Sequence, residues 1–160
     1  MKKVFVIPLT FVIVILVAVM ITVTVIESET MSEKEAMVDT EAELKKVVEQ
    51  GKALFNDTTL GSTGMSCNSC HPNGGTAGGE MMGMKVKDLH GAAATFPKYK
   101  NQTKSVITLS QMNNMCITMP MKGRALKPDS PEAIALVAYV TSLSNGMKIE
   151  MGEDMHSMKK

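Results

Sequence analysis

The feature that most limits what this chain can become is five residues long. Cys67-Asn68-Ser69-Cys70-His71 reads C-x-x-C-H, the signature of covalent haem attachment. The spacing has a physical basis. Two thiols one turn apart reach the two vinyl groups of one porphyrin, and the adjacent imidazole lies under the iron as an axial ligand. A chain built on these residues must fold around a flat, mostly apolar group. The competing reading is a zinc or redox C-x-x-C. No second C-x-x-C and no histidine pair completes a zinc site. One motif means one haem c, with Cys67, Cys70 and His71 as its attachment points.

The N-terminus bears on where such a domain works. Residues 4–26, VFVIPLTFVIVILVAVMITVTVI, carry no charge and exceed the roughly 20 residues a helix needs to cross a bilayer. Lys2 and Lys3 precede them, which keeps the N-terminus cytoplasmic and sends the rest outward. A cleaved signal peptide has an apolar core of only about 7 to 15 residues and a small-residue cleavage site. The following IESETMSEKEAM offers no A-x-A. The expected organisation is a transmembrane signal-anchor over 1–26, an acidic linker over 27–40, a haem domain over 41–146 and a Met-rich flexible tail over 147–160. The expected location is single-pass in the inner membrane, with the haem domain on the periplasmic face.

The formal net charge is +1, but it is unevenly spread. Glu27 to Glu49 holds eight acids against three lysines, and Lys85 to Lys127 holds seven lysines and Arg124 against Asp88 alone. The basic stretch either steers a redox partner with an acidic docking surface or is simply a solvated loop region. No nucleic-acid partner is expected.

The elements read as all-α. A helix over 41–56 follows from the spacing of Leu44, Val47, Val48, Gly51, Leu54 and Phe55, with Thr40 as its N-cap. A second helix is expected from Val106 to Met115, with Ser105 as its cap. A third runs from Pro131 to Ser144, capped by Ser130, with Pro131 in the first turn and Gly146 just past the end. No strand pattern is visible. With 4% aromatic residues, a domain this small gains from a haem as part of its core.

The order helix, loop, C-x-x-C-H, loops, terminal helix resembles the small class I-like c-type cytochrome fold over residues 42–146. That fold places three to five helices around one covalent haem. The resemblance implies that Gly51 and Phe55 of the first helix pack on Tyr139 of the last. Two further stretches, LHGAAATFPKY at 89–99 and SVITLSQMNNMCITMPMKGRALKPDSPEAIALVAYVTSLS at 105–144, are similar to the sulfur-oxidising cytochromes of the thiosulfate dehydrogenase type. In that family a cysteine at the position of Cys116 can ligate the iron opposite the histidine. The family motif continues to x-Gly-Lys-x-Leu, where this chain has Arg124 in place of the lysine.

Three side chains compete for the sixth iron position. Cys116 is the odd third cysteine, a thiolate ligand that would lower the potential or else a buried inert thiol. Met119, followed by Pro120, and Met121 are thioethers that would raise it. His90 reads as a loop residue before it reads as a ligand. Of the 16 methionines, Met81, Met82 and Met84 suit soft packing against a haem. Met147, Met151, Met155, His156 and Met158 offer Cu(I)-type donors, although they also read as a frayed polar tail.

Two functions follow. The first is a membrane-anchored carrier performing one-electron transfer through one haem, receiving and passing electrons between protein partners. The second is a haem subunit of an enzyme oxidising thiosulfate or a related sulfur anion, with lysines and Arg124 holding the anion.

Overall fold

The computed structural model describes residues 37–151, Met82 excepted. The expected membrane span, most of the linker and the tail beyond 151 lie outside the described residues. Among the described residues no helix is long and apolar enough to cross a membrane. The chain divides into two units, Met1–Glu43 and Leu44–Lys160, and the haem motif belongs to the second.

Helix α1 covers 37–56, and α2 is the single turn Cys67–Cys70. Helix α3 spans Leu109–Thr118 and α4 spans Pro131–Ser142. Short 3-10 turns stand at Asn73–Gly75 and Ala93–Thr95. Two antiparallel hairpins complete the fold. One pairs β1 (Gly79–Met81) with β2 (Met84–Val86), and the other pairs β3 (Lys98–Lys100) with β4 (Ser105–Ile107).

The hairpins correct the all-α expectation. The fold is mostly helical with small sheets. Each strand is three residues long, too short to show an alternating pattern, and two of the four carry lysines where apolar residues would signal a strand. The hairpin turn at Gly83 takes φ +79°, which glycine adopts without strain.

The second hairpin also moves a helix start. Val106 and Ile107 belong to β4, and α3 begins at Leu109 rather than Val106. Its cap is Thr108, not Ser105. The Gln111 amide donates to Thr108 Oγ1 at 3.3 Å, and the Thr108 amide donates to Gln111 Oε1 at 2.8 Å, a reciprocal capping box. Helix α1 starts earlier than expected. No glycine or proline lies between 37 and 41 to stop it, so Thr40 is inside the helix. Helix α4 follows the expected signals. Ser130 Oγ accepts from the Ala133 amide at 3.2 Å, and Gly146 takes φ +75° beyond its end.

The core is built from Phe55, Ile117, Met121, Leu136, Tyr139 and Val140. Helices α1 and α4 meet at Gly51. A Cβ there would lie on the carbonyl oxygen of Ala135 and 2.7 Å from the Cβ of Tyr139. One turn on, Phe55 and Tyr139 stack at 5.2 Å with a tilt of 60°, a pairing worth about 0.5–1.5 kcal/mol beyond burial. The implied packing of Gly51, Phe55 and Tyr139 is therefore present. Helix α3 is tied to the loop after it. Asn114 Nδ2 donates to the Leu126 carbonyl at 2.9 Å, and Asn114 Oδ1 accepts from the Leu126 amide at 2.8 Å.

Two substitutions test this frame by guanidinium unfolding of the haem-loaded protein. Gly51→Ala forces α1 off α4 and is expected to cost about 1–3 kcal/mol, the usual range for overpacking. Asn114→Ala strands the Leu126 amide and carbonyl and is expected to cost about 1–3 kcal/mol. An unchanged midpoint for Gly51→Ala would mean the helices do not cross there.

Candidate haem site

The C-x-x-C-H segment folds as one helical turn because its polar neighbours close it. The Ser66 amide donates to Ser69 Oγ at 3.0 Å, and the His71 amide donates to the Cys67 carbonyl at 2.9 Å. Asn68, a variable position of the motif, is structural. Its Oδ1 accepts from the Gly74 amide at 2.8 Å. From the other side the Tyr139 hydroxyl donates to the Gly74 carbonyl at 2.7 Å. Gly74 takes φ +66°, and a Cβ there would meet that hydroxyl oxygen at 2.7 Å.

His71 is oriented by the backbone of a distant segment. Its Nδ1–H donates to the Lys87 carbonyl at 2.9 Å. In the neutral ring this leaves the lone pair on Nε2, the form that binds a metal. Burial pushes the His71 pKa below its ordinary value, against the Lys87 hydrogen bond and the nearby Asp88 charge, which push it up. The imidazole is therefore neutral at pH 7.

Beside the motif lies a cavity of about 480 Å³, within the usual range for cofactor sites. Cys67, Cys70 and His71 line it from the motif, Met112, Asn113 and Cys116 from α3, and Leu136 and Val140 from α4. Lys85, Lys87, Lys98 and Lys100 come from the two hairpins and the chain just after the first. Burial pushes the Cys67 thiol up to about 12, with the Cys116 charge adding to the effect. Burial, then the Cys70 charge, raises Cys116, while Lys100 opposes them. The third cysteine thus faces the same space as the motif.

The residues fit a covalent haem. Two thiols and a neutral, oriented imidazole border one apolar cavity of suitable size. The Asn113 Nδ2 also points to a missing group. It is buried and has no hydrogen-bond partner, and a buried orphan of this kind calls for an acceptor that the protein itself does not supply.

The three candidates for the sixth position fall in different places. Cys116 and Met121 line the cavity, and Met121 is only 2% exposed. Its carbonyl accepts from the Ser62 amide at 2.9 Å, which fixes its loop. Met119 stands at the end of α3, 61% exposed, and does not line the cavity. Met81 and Met84 line it, as does the exposed His90 at the rim. Arg124 is exposed and not among the lining residues. Met82, Met155, His156 and Met158 lie outside the described residues.

Lys100, Met112 and Asn113 are among the lining residues that escaped the sequence reading as individuals. The signals were local. Lys98 and Lys100 are two apart, so a strand puts both on one face. Met112 and Asn113 stand four and three residues before Cys116, the spacing that shares a helix face.

The sequence profile described as "SoxA/TsdA, cytochrome c domain" matches residues 50–149. Thiosulfate dehydrogenase of Allochromatium vinosum is 30% identical over 112 residues, 66% of this chain and 40% of that protein. The L-cysteine S-thiosulfotransferase subunit SoxA of Rhodovulum sulfidophilum is 30% identical over 107 residues, 67% of this chain and 33% of that protein. The chain thus spans well under half the length of these curated relatives. The crystal structure of SoxXA from P. pantotrophus superposes with a TM-score of 0.58 at 24% identity, covering 68% of this chain and 39% of that one. The thiosulfate dehydrogenase TsdBA from Marichromatium purpuratum superposes at 0.52 and 20% identity, covering 65% and 24%. At such identities these likenesses speak for the fold.

Replacing Cys67 and Cys70 together by serine is expected to leave all haem extractable by acidified acetone, whereas the unaltered protein retains it. Retention by the double variant would refute thioether attachment at these positions.

Proposed function

The chain belongs to the SoxA/TsdA cytochrome c domain family, which carries haem c, and from that premise we propose that it is the haem-bearing unit of a system oxidising thiosulfate or a related sulfur anion. One observation carries this reading. Cys116, which no attachment motif uses, lines the same cavity as Cys67, Cys70 and His71. A general electron carrier has no need of a third thiol there. When bound, haem c supplies a one-electron couple whose potential follows from its axial ligands.

The chain's own groups supply the rest. His71 offers Nε2 because the Lys87 carbonyl holds Nδ1–H. Cys116 is the proposed ligand opposite it, and Met121 is the alternative that shares the cavity wall. Met119 is the weaker candidate because its side chain is solvent-exposed. Leu136, Val140, Met112 and Met121 give the interior apolar walls, and Met81 and Met84 flank it from the first hairpin.

Joining two thiosulfate ions through a new S–S bond releases two electrons, and one C-x-x-C-H accounts for one at a time. A protein partner must therefore relieve the site. The solved relatives are named as complexes, SoxXA and TsdBA, which supports a comparable redox partner here. Lys85 and Lys87 near the cavity give an acidic partner a docking surface. The charge-free run at 4–26 is proposed to tether this unit to the outer face of the inner membrane.

The carrier function remains the second reading, favoured by the single haem motif and the basic rim. Thiosulfate added to the oxidised full chain separates the two. The proposal expects reduced haem bands and tetrathionate from the unaltered protein, with reduction at least 100-fold slower in Cys116→Ser. No reduction with an electron acceptor present would leave the carrier. The red charge-transfer band of a methionine-ligated ferric haem, seen in the unaltered protein, would move the sixth ligand from Cys116 to Met121.

A further inference from the structure

Residues 90–96 form one side of the cavity, where His90, Gly91, Ala92, Thr95 and Phe96 line it. The middle of this segment reads Gly91-Ala92-Ala93-Ala94. Its side chains are methyl groups or hydrogen, and its regular structure is the single 3-10 turn Ala93–Thr95. Such a segment lets backbone lie close to a flat group. It also has little apolar surface of its own with which to hold to the core. Both ends are tied. The Leu89 amide donates to the Gly75 carbonyl at 2.7 Å, and the Lys98 ammonium stands 4.4 Å from the centre of the Phe96 ring. The middle needs another support.

That support comes from the chain that follows α4. The Leu143 carbonyl accepts from the Gly91 amide at 3.3 Å, and Ser144 Oγ accepts from the Ala93 amide at 3.1 Å. Farther on, the Glu150 amide donates to the Ala94 carbonyl at 2.9 Å. Between these bonds Met147 lies against the segment. A Cβ on Gly91 would come within 2.8 Å of the Met147 methyl carbon, and Gly91 takes φ +73°, which favours glycine. The Leu143 side chain packs on the core cluster and anchors the near end. Ser144 is buried although the haem chemistry calls for no hydroxyl there, and Met147 is half-buried.

We propose that residues 143–150 act as a strap that positions the 91–94 segment against the haem, with Ser144 and Met147 as its positioning residues. Neither side chain lines the cavity. Both act through Gly91 and Ala93, so the chain after α4 belongs to the haem site without touching the cofactor. The packing beside a haem governs how far solvent and small solutes reach it. The strap therefore limits access to the haem from this side. The proposal rests on haem c as the cofactor and not on the sulfur-oxidation reading.

The test is the rate at which dithionite reduces the oxidised, haem-loaded full chain, followed at the haem absorption bands by stopped flow. Guanidinium unfolding is measured on the same samples. Met147→Ala removes the group that rests on Gly91 and is expected to speed reduction about threefold to tenfold. Met147→Leu keeps a similar volume and is expected to restore a rate close to that of the unaltered protein. Ser144→Ala leaves the Ala93 amide without its acceptor and is expected to speed reduction about twofold. Met151→Ala, which removes an exposed methionine of the same tail, is expected to change nothing. A Met147→Ala variant with a lowered unfolding midpoint and an unchanged reduction rate overturns the proposal, because Met147 would then support the fold alone. Met147→Leu behaving as Met147→Ala overturns it too, since the sulfur and not the packing would be acting. The same acceleration in Met151→Ala would assign the effect to the tail at large and likewise overturn it. Should Ser144→Ala fail to load haem, the Met147 pair carries the test.

Discussion

Everything near the haem motif depends on how closely α1 and α4 approach at Gly51. With no side chain there, the Ala135 carbonyl occupies the space a Cβ would need. Tyr139 can then stack on Phe55 and still send its hydroxyl past the ring to the Gly74 carbonyl. That bond holds the loop after the motif, and the Gly75 carbonyl accepts from the Leu89 amide at 2.7 Å. The chain over 87–89 is thereby laid alongside His71, where the Lys87 carbonyl takes the imidazole proton. Each bond contributes only about 1 kcal/mol net. Their serial arrangement matters more, because a helix crossing on one side sets the direction of an imidazole on the other.

The wall carrying Cys116 is held by different means. Asn114 clips α3 to Leu126, and the Gly123 amide donates to the Ile117 carbonyl at 2.8 Å. The Ser62 and Thr63 amides both reach the Met121 carbonyl. The two walls share a thin core centred on Phe55, Ile117 and Leu136, the largest fully buried side chains. A core of that size leaves the cavity open unless another apolar body fills it. The covalent group is thus part of the fold's apolar interior, as expected of a small domain that buries little surface unaided.

Much of this was legible in the sequence. C-x-x-C-H fixed the cofactor class, the helical spacing of Leu54 and Phe55 gave α1, and Ser130-Pro131 marked the start of α4. Gly51, Phe55 and Tyr139 came from family resemblance, and their packing agrees with it. The hairpins were not legible, since strands such as Lys98-Tyr99-Lys100 are defined by pairing across a turn and not by an apolar rhythm. The α3 start was readable, because Thr108-x-x-Gln111 is a capping box, but the β-branched pair Val106-Ile107 drew the boundary upstream. Cys116, Met119 and Met121 were indistinguishable as near neighbours. Only the end of α3 separates the lining Cys116 thiol from the exposed Met119 thioether three positions on. Asn113 and Lys100 carry no composition signal, since their meaning lies in burial.

Charge and burial set opposing demands on this wall. Removing an ammonium from water costs on the order of several kcal/mol unless a negative group stands against it. Removing a thiolate costs likewise, so burial drives Cys116 toward its neutral form despite Lys100. In the metal-free protein the thiol is therefore protonated. A thiol becomes a ligand only by losing its proton, and a metal cation provides that driving force. The nearby Lys100 charge works in the same direction as the metal, because it opposes burial and favours the thiolate.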